Sequence, residues 1–255
     1  MSIALSVNLN KIALIRNSRD GDYPNVCDFG QLCIDSGANG LTVHPRPDQR
    51  HIRPSDTRAL AALIKLRNLD SSNLEFNIEG NPFAPPRGDY PGLVALALET
   101  KPDQCTLVPD SDSQKTSDHG FDLEQSAKQL EPLIAQLKEA GIRVSLFMDA
   151  NPSQLKLAKE LGADRIEFYT GPFAYDYAAG KGESAFEAHV EAAELASSLG
   201  LGINAGHDLN LRNMALYRHL PSLKEVSIGH ALTVDALLMG FKVAVQAYLA
   251  ACKTP

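Results

Sequence analysis

The 255-residue chain is 44% hydrophobic and 22% charged, with a formal net charge of −7. That balance fits a folded soluble protein and argues against a general nucleic-acid binder, which needs a basic face. A chain of this length buries roughly 70–75% of its unfolded surface and needs neither disulfide nor metal to hold a core. Cys27, Cys33, Cys105 and Cys252 show no Cys-x-x-Cys pair and no ligand spacing. They read as small buried residues of a reducing, cytoplasmic compartment. The opening residues lack a basic stretch followed by a long apolar run, so no secretory signal is expected there.

In chain order, short apolar and β-branched runs predict strands over 3–7, 40–43, 74–78, 104–108, 143–148, 165–169, 202–204 and 225–228. Helices are predicted between them, at about 24–36, 55–68, 91–100, 122–140, 152–161, 183–199, 210–219 and 231–251. The last is the most apolar, but Asp235, Lys242 and Gln246 interrupt it. It predicts a terminal helix covering the fold, not a membrane span.

Gly37, Gly141, Gly162 and Gly200 each end a predicted helix just before a strand, where glycine supplies the left-handed cap cheaply. The connections after the strands, especially 8–23, 44–54, 79–91, 109–121 and 170–182, are longer and richer in polar residues and proline. Tight turns at one end of the strands and long loops at the other predict an α/β protein, a (β/α)8 TIM barrel forming one domain over residues 1–255. A doubly wound open sheet is the alternative, but Asn8-Leu-Asn-Lys11 is not the glycine-rich turn it usually carries after its first strand. Residues 80–92 read as an inserted loop and 109–121 as a lid.

The strand ends carry the chemistry while the strand bodies read as apolar. Asn8 and Asn10 follow the first strand, His44, Arg46, Arg50 and His51 the second, Asp149 the fifth, Glu167 lies on the sixth, and His207 and His230 follow the last two. In a barrel such ends converge on one cup. Leu74, Phe76 and Ile78 share one face of the third strand, so Glu75 and Glu79 share the other. A carboxylate there is costly unless paired or working, and Glu75 inside the cup is expected to act as a general base. His119, His189 and His219 are expected to be solvated. Asn204-Ala-Gly-His207 and Ser227-Ile-Gly-His230 predict a phosphate site at a helix N-terminus, with glycines allowing close backbone approach. The segment His44–His51 predicts a second one built on arginine. Two anion sites predict two phosphorylated substrates or one bisphosphate.

At these residues the sequence resembles the pyridoxine 5′-phosphate synthase family. The similarity runs through Val7-Asn8, Arg16-Asn-Ser-Arg19, Gly40-Leu-Thr-Val-His44-x-Arg46-x-Asp48-x-Arg50-His51-Ile52 and Asn73-Leu-Glu75. It continues through Glu99-Thr-Lys-Pro-Asp103, Leu107-Val-Pro109, Val144-Ser-Leu-Phe147, Glu167-x-x-Thr-Gly171, Asn204-Ala-Gly-His207 and Ile228-Gly-His230-Ala. The pieces keep the family's order and span nearly the whole chain.

The resemblance implies a barrel with extra helices, a homo-octamer built from dimers, and neither metal nor cofactor. It implies condensation of 3-amino-2-oxopropyl phosphate with 1-deoxy-D-xylulose 5-phosphate, giving pyridoxine 5′-phosphate, phosphate and water. It also implies His44 and Glu75 as proton acceptors, His207 as proton donor, and Glu167 as a carboxylate supporting the transition state. Asn8, Arg19, Gly229 and His230 would bind the amino ketone phosphate, and Arg46, His51 and Thr116 the deoxyxylulose phosphate. Asn10-Lys11 stands where many members carry Asp-His, and Asp208 where they carry glycine; all three are taken as substrate-binding positions. A metal-dependent barrel using His44, Glu75, His207 and His230, a Schiff-base aldolase using Lys11, and a non-catalytic carrier of phosphorylated ligands remain as rivals.

Overall fold

The computed structural model describes residues 2–70 and 72–253. Eight parallel strands close into a barrel in sequence order, the eighth pairing back onto the first. They are β1 (Ala4–Asn8), β2 (Gly40–Val43), β3 (Glu75–Gly80), β4 (Gln104–Leu107), β5 (Arg143–Met148), β6 (Arg165–Phe168), β7 (Gly202–Ala205) and β8 (Leu223–Ile228). The architecture is the (β/α)8 TIM barrel, and each predicted strand is present within one or two residues. The two extra residues of β3 matter, because they make Glu79 a strand-end residue.

The helices are α1 (Asn10–Arg16), α2 (Val26–Asp35), α3 (Pro54–Asn68), α4 (Leu93–Thr100), α5 (Leu123–Glu139), α6 (Pro152–Glu160), α7 (Gly171–Ala178), α8 (Gly182–Ser198), α9 (Met214–Tyr217), α10 (His230–Met239) and α11 (Phe241–Ala251). Among the described residues no helix is long and apolar enough to cross a membrane. Three differences from the sequence reading stand out. First, the terminal helix is two helices, broken at Gly240, whose φ of 87° belongs to the left-handed region. Second, α1 lies in a segment read as loop. Its first amide donates to the Asn8 side chain, and Arg16 in its last turn is buried and bidentate to Asp56 at 2.5 and 3.0 Å. Third, α7 also lies in a predicted loop, nucleated by Pro172 in its first turn and pinned by buried Phe173 against Tyr217 and His189.

His189 is therefore not solvated. It is buried, with Nδ1 2.9 Å from the Tyr217 hydroxyl, and burial pushes it down to about 4.

The strands' two faces differ in chemistry. Leu5, Val7, Leu41, Val43, Phe76, Ile78, Val144 and Leu146 are buried beneath the helices. Their period-two neighbours face the barrel axis and are polar, which corrects the expectation of apolar strand bodies. Ser6 bonds Thr42 at 2.7 Å, Thr106 donates to Asn77 at 3.1 Å, and Arg165 reaches Asn204 and Glu225, each at 3.1 Å. Buried polar groups are tolerated here because neighbouring strands satisfy them across the axis. The segment 80–92 has little regular structure, as its prolines predict. An isolated Arg87–Tyr90 bridge closes it, and Tyr90 is buried.

Candidate active site

The carboxyl ends of the strands surround a cavity of about 340 Å³, within the roughly 300–1,000 Å³ common for small-molecule sites. A larger open groove of about 1250 Å³ lies between α7, α8 and α9. It shares no residue with the cup.

His44 ends β2 inside the cup. Its backbone amide donates to Asn10 Oδ1 at 2.9 Å. Its Nε2 lies 3.2 Å from Asp110 Oδ2 and its Nδ1 3.6 Å from Glu79 Oε1. The Asp110 contact is an ion pair whose angle falls short of a hydrogen bond, since both atoms are buried without another partner. Burial alone would press the imidazole down, but the charge of Asp110, and then of Glu79, lifts it to about 9. Asp110 is held below the usual carboxylate range by His44 and Arg46, against the effect of its own burial. The two shifts agree on a charged pair.

Arg46 is buried, 3.0 Å from Asp110 Oδ2, and donates to the carbonyls of Ser111 and Gln114. Arg50 donates to the carbonyls of Gln114 and Asp112 at 2.8 and 2.6 Å. Two guanidinium groups thus hold the loop 109–121 over the cup. His51 accepts the Ile52 amide on Nδ1 at 2.9 Å, which leaves the ring proton on Nε2. Burial, then the positive charges of His44 and Arg46, push His51 down to about 3, so it is neutral.

Across the cavity His207 contacts Thr116 Oγ1 at 2.6 Å through Nε2 and Asp208 Oδ2 at 3.0 Å through Nδ1. Asp208 sits at φ 64°, a left-handed position that aspartate tolerates better than most residues. Its carbonyl accepts from Asn213 at 3.1 Å. The carboxylate is therefore not turned away from the site; it is spent on the histidine. Glu167 is buried at the end of β6. Burial, then the neighbouring Glu79 and Glu225 carboxylates, raise it well above the usual carboxylate range, with His44 opposing.

Gly229 and His230 open α10, and with Asn8 and Lys11 they line the third side of the cup. Here the glycines answer to their strand neighbours as well as to any ligand. A Cβ on Gly206 would meet the Ser227 carbonyl oxygen at 2.4 Å, and one on Gly229 would meet Asn8 at 2.9 Å.

Comparison with known proteins places the chain in a family. The model of the family described as pyridoxal phosphate biosynthesis protein PdxJ matches residues 5–254. The chain belongs to this family. PdxJ-family relatives include the pyridoxine 5′-phosphate synthase of Xanthomonas axonopodis pv. citri, 54% identical over 250 residues that cover 98% of this chain and 96% of that protein. Another is the pyridoxine 5′-phosphate synthase of Xylella fastidiosa, 51% identical over 246 residues, covering 96% and 93%. Among solved structures the chain resembles Mycobacterium tuberculosis tryptophan synthase, with a TM-score of 0.65 and 13% identity over 100% of this chain and 94% of that one. It also resembles 3-hexulose-6-phosphate synthase from Salmonella typhimurium, with a TM-score of 0.62 and 18% identity over 99% and 100%. These two likenesses concern the fold alone.

Of the positions carried over from the PdxJ-type pattern, His44, His207, Glu167, Asn8, Asn10, Lys11, Arg46, His51, Thr116, Asp208, Gly229 and His230 all line the cup. Two do not. Arg19 is exposed on the loop after α1. Glu75 begins β3 and so lies at the opposite mouth of the barrel, about 13 Å down the strand from Glu79. Both its oxygens are taken by Arg143. The period-two reading placed Glu75 on the inner face, but at the wrong end. Asp110 and Lys115 were not singled out, although the strand-end rule applied to β4 leads straight to Val108-Pro-Asp110.

No three His, Cys, Asp or Glu side chains converge as metal ligands among the described residues. The lysines lining the cup, Lys11 and Lys115, are on a helix and a loop, not on a strand.

Proposed function

We propose that the cup condenses 3-amino-2-oxopropyl phosphate with 1-deoxy-D-xylulose 5-phosphate, giving pyridoxine 5′-phosphate, phosphate and water. What supports this reading is that the start of α10 with Asn8 and Lys11, and the corner of Arg46, His51 and Thr116, line one cavity with His44, His207 and Glu167. Gly229 and His230 at the start of α10, with Asn8 and Lys11, form the wall for the amino ketone phosphate, where free backbone N–H groups meet an anion. Arg46, neutral His51 with its Nε2–H, and Thr116 form the wall for the deoxyxylulose phosphate.

Each chemical stage moves protons. The amine adds to the ketone, water leaves to give a Schiff base, phosphate is eliminated, and an aldol-type closure precedes aromatisation. His44, held as the imidazolium, gives a proton to a departing oxygen and recovers it in a later step. His207, oriented by Asp208 and Thr116, serves the opposite side as acid. Glu167, kept neutral by burial, hydrogen-bonds developing negative charge. The loop 109–121, tied down by Arg46 and Arg50, is the lid that keeps water from the imine.

The chain works in the cytoplasm as a homo-octamer, a tetramer of dimers. Four unpaired cysteines support the compartment. Exposed Leu14 and Ile15 on α1 and Leu237 and Leu238 on α10 support an assembly face. The deciding experiment supplies purified protein with both substrates and follows pyridoxine 5′-phosphate by chromatography. Product that needs both substrates is expected. Binding of both without product would make the chain a carrier and overturn the reading.

A further inference from the structure

The loop 109–121 carries five titratable side chains, and four of them have charged partners. Asp110 lies between His44 and Arg46, Asp112 takes Arg87 at 2.6 Å, and Asp118 takes His119 at 2.7 Å. The fifth is Lys115. Its ammonium has neither an ion pair nor a hydrogen bond among the described residues, yet Lys115 lines the cup together with Thr116 and Ser117. The loop's own contacts fix where it stands. On one side the Gln114 carbonyl accepts from Arg46 at 3.3 Å and from Arg50 at 2.8 Å. On the other, Thr116 Oγ1 meets His207 Nε2 at 2.6 Å. Lys115 is therefore held between the arginine corner and His207. The second lysine of the cup is placed differently. Lys11 lies in the field of Asp208, which its hydrogen bond to His207, and then the charges of His207, His230 and Lys11, hold below the usual carboxylate range.

We propose that Lys115 is a further substrate-binding residue, a lid cation that takes the phosphate of the deoxyxylulose substrate against Arg46, His51 and Thr116. The proposal rests on the synthase reading. A phosphate monoester brings roughly −1.5 to −2 charge at neutral pH and three strong acceptor oxygens. Arg46 already shares the Asp110 carboxylate, and His51 is neutral, so the wall after β2 is short of positive charge for such an anion. An ammonium on a flexible four-carbon stem suits the need, because it binds phosphate as a point charge and requires no fixed fork. No carboxylate of the loop competes for it, so Lys115 exchanges only water for the phosphate. The substrate then bridges the lid and the Arg46 wall.

The test compares Lys115→Met and Lys115→Arg with wild type in the full chain, measuring kcat and the KM of each substrate at low and high salt. Lys115 is exposed, so the methionine variant removes a charge without disturbing the core. Its KM for the deoxyxylulose phosphate is expected to rise on the order of tenfold, the low end for a hydrogen bond to a charged group. The KM for the amino ketone phosphate and kcat should each move less than about threefold, because a contact made alike before and during the reaction changes KM alone. Lys115→Arg should recover most of the lost affinity, and Lys115→Met should depend less steeply on salt than wild type. A deoxyxylulose phosphate KM within about twofold of wild type in Lys115→Met overturns the proposal. So does an equal rise in both KM values, or a fall in kcat with KM unchanged, since those mark a role in shaping the lid. Wild type that makes no product removes the synthase reading and this proposal together; an active wild type with an unaltered Lys115→Met removes only the proposal.

Discussion

His44 Nε2 lies 3.2 Å from Asp110 Oδ2, an ion pair in a buried corner where neither atom has a hydrogen-bond partner among the described residues. Arg46 shares the same carboxylate oxygen at 3.0 Å. One aspartate therefore neutralises two buried cations, one of them the histidine assigned to proton transfer. Removing one partner of such a pair leaves uncompensated charge out of water, at a cost of about 3–5 kcal/mol. Asp110→Asn should lower the melting temperature by roughly 6–20 °C. It should also bring the His44 titration, followed by NMR of the ring protons, well below its wild-type position. An unchanged titration would show that Asp110 does not hold the imidazolium.

The buried histidines give stability a pH dependence with two arms. His44 is raised from the ordinary 6.5 to about 9, so its contribution is fully present below pH 6.5 and is lost as pH rises through about 9. His51 and His189 are lowered from 6.5 to about 3 and about 4. Their neutral burial favours the fold above pH 6.5, and that advantage is lost as pH falls from 6.5 toward those values. Melting temperatures measured from pH 4 to 9 should peak near 6.5 and fall on both sides. His189→Gln, which keeps a partner for Tyr217, should flatten the acid arm. A plateau extending from pH 4 to 9 would contradict both assignments.

Much of this was legible in the sequence, and the gaps have identifiable causes. The outward halves of the strands, such as Leu5 and Val7 or Phe76 and Ile78, announce themselves because apolar residues at period two mark a buried face. The inward halves were less visible. Ser6, Thr42, Asn77 and Thr106 carry no such mark, because only closure of the barrel brings them close enough to satisfy one another. Helix α1 was hidden by its seven residues and by the role of the neighbouring strand-end Asn8 in holding its first turn. The choice between Glu75 and Glu79 turned on where β3 ends. Period two gives the face of a strand but not the depth, and the boundary at Gly80 decides which acid reaches the cup. Asp208, where many members carry glycine, shows its use only through the contact with His207.

That contact yields a further prediction. Asp208 occupies φ 64°, where glycine is free of strain. Asp208→Gly should therefore leave stability unchanged or raise it slightly, while releasing His207 from its orienting carboxylate. kcat should fall on the order of tenfold, within the ~10²-fold that mispositioning a reacting group costs, with KM little changed. Denaturant unfolding and steady-state kinetics check the two halves. A loss of stability without a loss of kcat would assign Asp208 to the turn and not to the histidine.

The central claim is that substrate chemistry takes place in the cup at the carboxyl ends of the strands, between the start of α10 and the Arg46 wall. A crystal structure of the chain with pyridoxine 5′-phosphate bound tests it most directly. The phosphate is predicted against the backbone of Gly229 and His230, with the pyridine ring between His44 and His207. Product bound at the amino-terminal mouth beside Glu75, or in the groove between α7, α8 and α9, would contradict the account.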